Sequence, residues 1–387
     1  MGCTRGTLGN QLEALQGTDT EYRRVERSSG DARYRSVRRD TNVGTSMADK
    51  IRVLSVGTPQ PYVRKDVRLL EKDFRVTHVE VDYNRQLRTL AKDVKGFSRM
   101  ILEIARADVV YHWFANLHAY VGLRVAEVVG TPTVVTVGGF EVAHVPQFEY
   151  GGLLDSTDAR RIRYVLEHAD TVLTVDDGLK RDAQRNLGVS GDHIRTVPTG
   201  YDPERFTPEP ASERRLVLTV AAESKWNRAR LKGLDTFVSA ASGFDDTEFV
   251  VVGVSGDAYE RLAADAPPNV TLVKPVPQDE LVSWYQRAQV YCQLSFREGL
   301  PNSLCEAMLC GCTPVGADVQ GIRTAIGDAG FLVPFGDVEA TREAIERAFQ
   351  TNGRADVARN SIANRFHWKR RKEELVGELR STARQSE

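Results

Sequence analysis

Apolar residues along this chain arrive in two rhythms. Short runs of β-branched and aromatic residues alternate with longer stretches in which apolar positions recur every three or four residues. The first series reads strand Ile51–Val56, helix Tyr62–Leu70, strand Arg75–Val81, helix Asn84–Ala105, strand Asp108–His112, helix Leu117–Val129 and strand Thr133–Val137. Helix Asp158–His168, strand Thr171–Val175, helix Gly178–Leu187 and strand Ile194–Val197 complete it. A second series places strands at Leu216–Val220, Glu248–Val252, Val270–Val273, Val290–Leu294, Thr313–Val315 and Phe331–Val333. Helices Gly233–Ala241, Asp257–Ala264, Gln278–Arg287, Asn302–Cys310 and Val338–Ala348 lie between or after them. Repeated β-α alternation with right-handed crossovers predicts parallel sheets covered on both faces, an α/β fold class.

The segments outside this alternation set the domain plan. Residues 1–46 are rich in Arg, Asp, Ser, Thr and Gly with no sustained period, which reads as disorder. M-A-D-K-I-R-V-L-S-V from Met47 reads as a natural start, with the preceding segment an over-extended reading frame; a basic tail for a partner or a membrane is the rival. Tyr201 to Pro210 is polar and proline-rich, as a linker between domains would be. The expected domains are therefore 47–203 and 204–367. The last segment, Asn352–Arg384, is helical with a break near Phe366-His367-Trp368.

Composition narrows the classes. Hydrophobic residues make up 41% and charged residues 27%, and the net charge is −1, so no global field steers the chain toward nucleic acid. No apolar run approaches the ~20 residues that span a bilayer, and the N-terminus lacks a signal-peptide core. Five cysteines, four of them between Cys292 and Cys312, do not resemble a disulfide framework. Cys310 and Cys312 have no second Cys or His pair nearby in sequence, so buried thiols are expected, with no metal site and a cytoplasmic location.

The densest chemistry lies in V-Y-C-Q-L-S-F-R-E-G-L-P-N-S-L-C-E-A-M-L-C-G-C-T-P-V-G, Val290 to Gly316. It reads as strand, polar loop, helix opened by Pro301, and strand. In parallel α/β sheets ligands bind beyond the carboxyl ends of strands, and helix N-termini there favour anions. Glu298 in the loop and Glu306 about one turn inside the helix add carboxylates, which accept hydrogen bonds from hydroxyls. Amides for a diphosphate and carboxylates for ribose or hexose hydroxyls suit a nucleotide sugar.

E-G-L-P-N-S-L-C-E-A-M followed by G-C-T-P-V resembles the E-x7-E signature of retaining nucleotide-sugar glycosyltransferases of the GT-B type, the group 1 or family 4-like enzymes. The resemblance covers roughly Ile51 to Leu375. It implies two Rossmann-like domains facing each other across a cleft, with the final helix, about 368–387, crossing back to the first domain at F-H-W-K. It places Glu298 beside the transferred sugar, Glu306 on the ribose, and the amides of Gly299, Leu300, Pro301, Asn302 and Ser303 around sugar and phosphates. Lys232, opening a helix after the first strand of the second domain, is then the diphosphate cation. The family's companion arginine after G-R is missing, and Arg230, with Lys225 and Arg228 as rivals, is its expected replacement. Gly138 and Gly139, ending a strand, are expected to approach the donor closely. His112 and His144 are candidates for the catalytic cleft, and Val276 for backbone contact with the base. Arg160, Arg161 and Arg163 on one helix raise peripheral membrane contact.

The activity this implies is transfer of a hexosyl-type sugar from a nucleoside diphosphate donor to a hydroxyl of a saccharide or lipid-linked acceptor, with retention and no cofactor or metal. Two alternatives stand beside it: a GT-B-fold sugar-nucleotide epimerase, for which no acid/base pair is evident, and a non-catalytic sugar-nucleotide-binding subunit, motivated by the missing G-R. A dinucleotide oxidoreductase is disfavoured because no G-x-G-x-x-G follows Val56.

Overall fold

The computed structural model describes residues 50–81, 90–209, 215–351 and 353–385. The disorder expected for 1–46, the Met47 start and the first residues of the helix expected at Asn84 lie outside them.

Two parallel six-stranded sheets form the molecule. The first holds β1 (Arg52–Gly57), β2 (Arg75–Glu80), β3 (Val109–Trp113), β4 (Thr133–Val137), β5 (Thr171–Thr174) and β6 (Ile194–Thr196), in the order β2-β1-β3-β4-β5-β6. The second holds β7 (Arg215–Val220), β8 (Thr247–Val252), β9 (Val270–Val273), β10 (Val290–Gln293), β11 (Thr313–Ala317) and β12 (Phe331–Val333), in the order β12-β11-β10-β7-β8-β9. Every pairing is parallel, so each strand returns through a crossover and the inner strands β3, β4, β10 and β11 are buried throughout. This is the expected pair of Rossmann-like sheets.

The helices of the first unit are α1 (Pro61–Leu70), α2 (Leu90–Ile104), α3 (Leu117–Val129), α4 (Ser156–His168) and α5 (Asp177–Leu187). Local chemistry starts several of them. The Asn116 side chain accepts from the His118 amide at α3, Asp155 accepts from Thr157 and Asp158 at α4, and Asp176 accepts from Gly178 at α5. The second unit contains α6 (Trp226–Leu231), α7 (Leu234–Ala241), α8 (Gly256–Asp265), α9 (Gln278–Arg287), α10 (Asn302–Leu309), α11 (Gln320–Ile326), α12 (Val338–Gln350) and α13 (Arg354–Arg365). Helix α14 (Trp368–Arg384) then crosses back and packs on α1, β3 and β4. The break between α13 and α14 falls at Phe366-His367, as the pattern predicts.

Helix α6 falls in a stretch expected to be loop, and α11 in one to which the pattern assigned no element. Each is under eight residues, too short for an apolar face to repeat. The stretch after Tyr201 also differs: Tyr201 and Phe206 are buried, and Arg359 donates to the carbonyls of Pro203 and Phe206 at 2.8 and 2.6 Å. It is a packed joint rather than a free spacer. There the two crossings run side by side, with the Tyr201 amide donating to Phe366 and the Trp368 amide to Tyr201.

Beneath the joint lies a buried ion pair. Arg371 on α14 meets Asp66 on α1 at 2.7 Å, and the same carboxylate accepts from the Tyr111 hydroxyl and the Trp113 indole, each at 2.9 Å. Among the described residues no helix is long and apolar enough to cross a membrane.

Candidate active site

The site is built where β10 ends. Gln293 and Ser295 are buried there, and with Lys232 they converge on one oxygen of Glu298. Lys232 Nζ lies 2.7 Å from Glu298 Oε1, the Ser295 hydroxyl donates to it at 2.7 Å, and Gln293 Nε2 at 3.0 Å. Gln293 is held in turn, its carbonyl accepting from Tyr291 and Ser303, each at 3.3 Å. Three donors on Oε1 fix the carboxylate and leave Oε2 to address a hydroxyl. Burial opposes the charge on Lys232, but Glu298 outweighs it and raises the ammonium's pKa.

Lys232 sits at the end of α6, and the left-handed Gly233 (φ 68°) turns the chain into α7. A Cβ at Gly233 would lie 2.1 Å from the Leu294 carbonyl, so glycine is what lets Lys232 approach the Glu298 loop.

Helix α10 begins with Pro301 as its extended N-cap, one residue earlier than the first-turn position expected, and no side chain caps it. Its first intrahelical bond comes from the Cys305 amide, which leaves the amides of Asn302, Ser303 and Leu304 without helical acceptors. An anion is favoured at such an end. Gly299 and the buried Leu300 lead into it.

Glu306 lies one turn inside α10 and accepts from the Tyr285 hydroxyl at 3.2 Å. Burial pushes its carboxyl up to about 7, against the pull of Lys65, Tyr285 and Arg205. Lys65 arrives from α1 of the first unit, donates to the Gly200 carbonyl and lies over the Tyr201 ring at 5.2 Å. The Tyr201 hydroxyl donates to Asn302 Oδ1 at 2.9 Å. Lys65, Tyr285 and Gln293 escaped the sequence reading because nothing local marks them, and Tyr201 was read only as part of the junction between domains; tertiary contact brings all four to the site.

Three sequence expectations need correction. His112 is fully buried, its ring stacked on His118 with Nδ1–Nδ1 at 3.3 Å and set against Gly122 of α3. Burial pushes its pKa well below the ordinary value, so it is a neutral core residue with no access to a cleft. Gly138 and Gly139 do reach the Glu298 loop, and a Cβ on Gly299 would lie 2.6 Å from the Gly138 carbonyl. Their amides, however, are taken by the buried Glu141 carboxylate at 3.2 and 3.0 Å, so they are closed to a phosphate. Arg230 pairs with Asp235 at 3.7 Å and lies over Phe148, whereas Arg228 lies 4.2 Å from the centroid of Tyr150. Arg228 also pairs with Glu223 at 3.4 Å, and its neighbour Tyr150 interacts electrostatically with Lys232 and Glu298, so Arg228 is the better candidate for the companion cation. Lys225, exposed at the start of α6, makes no described contact with Glu298.

His144 is exposed and lines an interdomain cavity with Glu298. Val276 is half-buried in the turn between β9 and α9. Arg161 and Arg163 on α4 pair with Asp158 and Glu167 of the same helix. Cys310 and Cys312 are buried free thiols.

Comparison with known proteins bears on this geometry. Residues 45–200 match the family model described as "Glycosyl transferase 4-like domain", and residues 215–351 match "Glycosyl transferases group 1". The chain belongs to the GT-B glycosyltransferases. Among relatives of this glycosyltransferase, the D-inositol 3-phosphate glycosyltransferase of Acidothermus cellulolyticus is 32% identical over 242 residues, covering 56% of this chain and 54% of that protein. That of Corynebacterium urealyticum is 28% identical over 255 residues, covering 58% and 60%. The aligned stretch thus spans little more than half of these curated relatives. Among solved structures, sucrose-phosphate synthase from Thermosynechococcus elongatus superposes with a TM-score of 0.73 at 18% identity, over 86% of this chain and 99% of that one. Anabaena HepE in complex with UDP-glucose superposes with 0.69 at 14%, over 86% and 100%. At these identities the likeness is one of fold.

Proposed function

We propose that this glycosyltransferase moves a hexosyl-type sugar from a UDP-sugar to an acceptor hydroxyl with retention of anomeric configuration. The observation that carries the reading is the Lys232–Glu298 contact at 2.7 Å, set beside the uncapped start of α10 with Glu306 one turn inside. The bound nucleotides of the Anabaena neighbour favour UDP as the base to test first.

In this reading the donor diphosphate lies between Lys232, Arg228 and the free amides of α10, which stabilise charge as the glycosidic bond breaks. Glu298 Oε2 orients the sugar hydroxyls, and Glu306 accepts from the ribose. The acceptor enters from the first domain, near His144. Fixed cations and amides do the work a metal would otherwise do, so chelator is expected to leave the rate unchanged. Buried thiols favour a cytoplasmic setting, and the paired arginines of α4 give membrane contact no added support.

The test combines thermal shift and donor hydrolysis across UDP-, GDP-, ADP- and CDP-sugars. UDP-sugars are expected to raise the melting temperature of the wild type. Lys232→Ala is expected to lower kcat by about 10²–10³-fold, as loss of a preorganised charge at a leaving group does. No shift with any nucleotide sugar would overturn the reading. An inverted product anomer in the NMR spectrum would overturn retention alone.

A further inference from the structure

Tyr201 stands where the two chain crossings meet. Its amide donates to the Phe366 carbonyl at 2.7 Å, and its carbonyl accepts from the Trp368 amide at 2.9 Å. Gly200 lets the crossings approach, since a Cβ there would lie 2.7 Å from Trp368 Cα. Lys65 of α1 lies over the Tyr201 ring at 5.2 Å. These contacts use the backbone and the ring, and phenylalanine would satisfy them all. The hydroxyl does something else. Although Tyr201 is buried, its hydroxyl reaches the second domain, donating to Asn302 Oδ1 at 2.9 Å, and it lies 2.8 Å from the Thr199 hydroxyl. A phenol has one proton, so with that proton on Asn302 the Thr199 hydroxyl is the donor in the second contact. Asn302 is the half-buried first residue of α10. With Oδ1 engaged, its Nδ2 makes no hydrogen bond among the described residues.

We propose that Tyr201 is a positioning residue for donor binding: its hydroxyl, aimed by Thr199, turns the Asn302 side chain so that Nδ2 donates to the diphosphate at the start of α10. The proposal rests on the donor reading above and adds to it a link from the joint between the domains. The backbone amides of α10 are fixed by the helix. A side-chain amide can rotate, and its carbonyl oxygen would then meet the phosphate oxygens as a second acceptor. A hydroxyl proton committed to Oδ1 removes that choice and leaves only the N–H end free. Tyr201 is in turn placed by its backbone bonds to Phe366 and Trp368, where the chain returns to the first domain. A donor contact made in the second domain therefore depends on the joint being formed.

Calorimetry with UDP tests this. Tyr201→Phe keeps the ring and its burial and removes only the hydroxyl. Its Kd for UDP is expected to rise about fivefold, the weight of one oriented hydrogen bond. A joint that is merely structural would lower the melting temperature and leave the Kd of the folded protein unchanged. Thr199→Val, which removes the donor to the hydroxyl, is expected to weaken UDP in the same direction and repeats the test should Tyr201→Phe unfold. A double-mutant cycle then asks whether the effect passes through Asn302. In an Asn302→Ala background, Tyr201→Phe is expected to leave the Kd within about twofold. Weakening that requires Asn302 supports the proposal. A Kd unchanged in both single variants, or equal weakening with and without Asn302, overturns it. Failure of UDP to bind the wild type would instead strike the donor reading.

Discussion

The Glu306 carboxyl is the residue whose charge the fold controls most usefully. Its pKa rises from an ordinary 4.5 to about 7 because burial outweighs Lys65 and Tyr285. Between those values the folded chain binds more protons than the unfolded one, so this group's contribution to stability is present below pH 4.5 and declines as pH rises through 7. Donor binding has the opposite dependence, since only the ionised form accepts from both ribose hydroxyls. Donor KM is expected to rise about tenfold per pH unit below 7 in the wild type. Glu306→Gln is expected to bind donor weakly at every pH, with that acidic limb gone; steady-state kinetics from pH 5 to 9 would check both. At this scale Glu298 and Glu306 could be singled out because both sit in one contiguous run, and Lys232 because it precedes a helix after the first strand of its domain. His112 was misplaced because strand alternation does not say which face of a sheet looks into a cleft.

Among the elements, α6 and α11 do most to shape the site and were least visible. Six residues of α6 turn Arg228 toward Tyr150 and point Arg230 at Asp235, a choice that depends on helix phase and not on proximity in sequence. Helix α11 presses on the Glu298 loop through Gly321. A Cβ there would lie 1.4 Å from the Gly299 carbonyl oxygen and 2.8 Å from that of Glu298. Gly321→Ala must therefore displace the Glu298 loop from its place beside Lys232 or shift α11. Its kcat is expected to fall by about 10²-fold or more, the cost of displacing a reacting group by an ångström, while UDP, held mainly by α10, still raises the melting temperature. Parallel kinetics and thermal shift would show that split.

At the scale of the whole molecule, the return of α14 makes the first domain depend on the last residues of the chain. The Arg371–Asp66 pair is sealed from water, and removing one partner leaves an unmatched charge inside. Asp66→Ala is expected to cost about 3–5 kcal/mol in urea unfolding, and Asp66→Asn to recover only part of it, since an amide keeps hydrogen bonds but no charge. Two α/β series, their strand and helix types and the loop that joins β10 to α10 were determined by the sequence alone, because hydrophobic period and glycine and proline placement act over a few residues. The pairing of Lys232 with Glu298, the capture of the Gly138 and Gly139 amides by Glu141 and the reach of Lys65 to the second domain were decided only by tertiary structure. Each joins residues far apart in the chain, and the energy of such contacts depends on distance and burial, which no local pattern encodes.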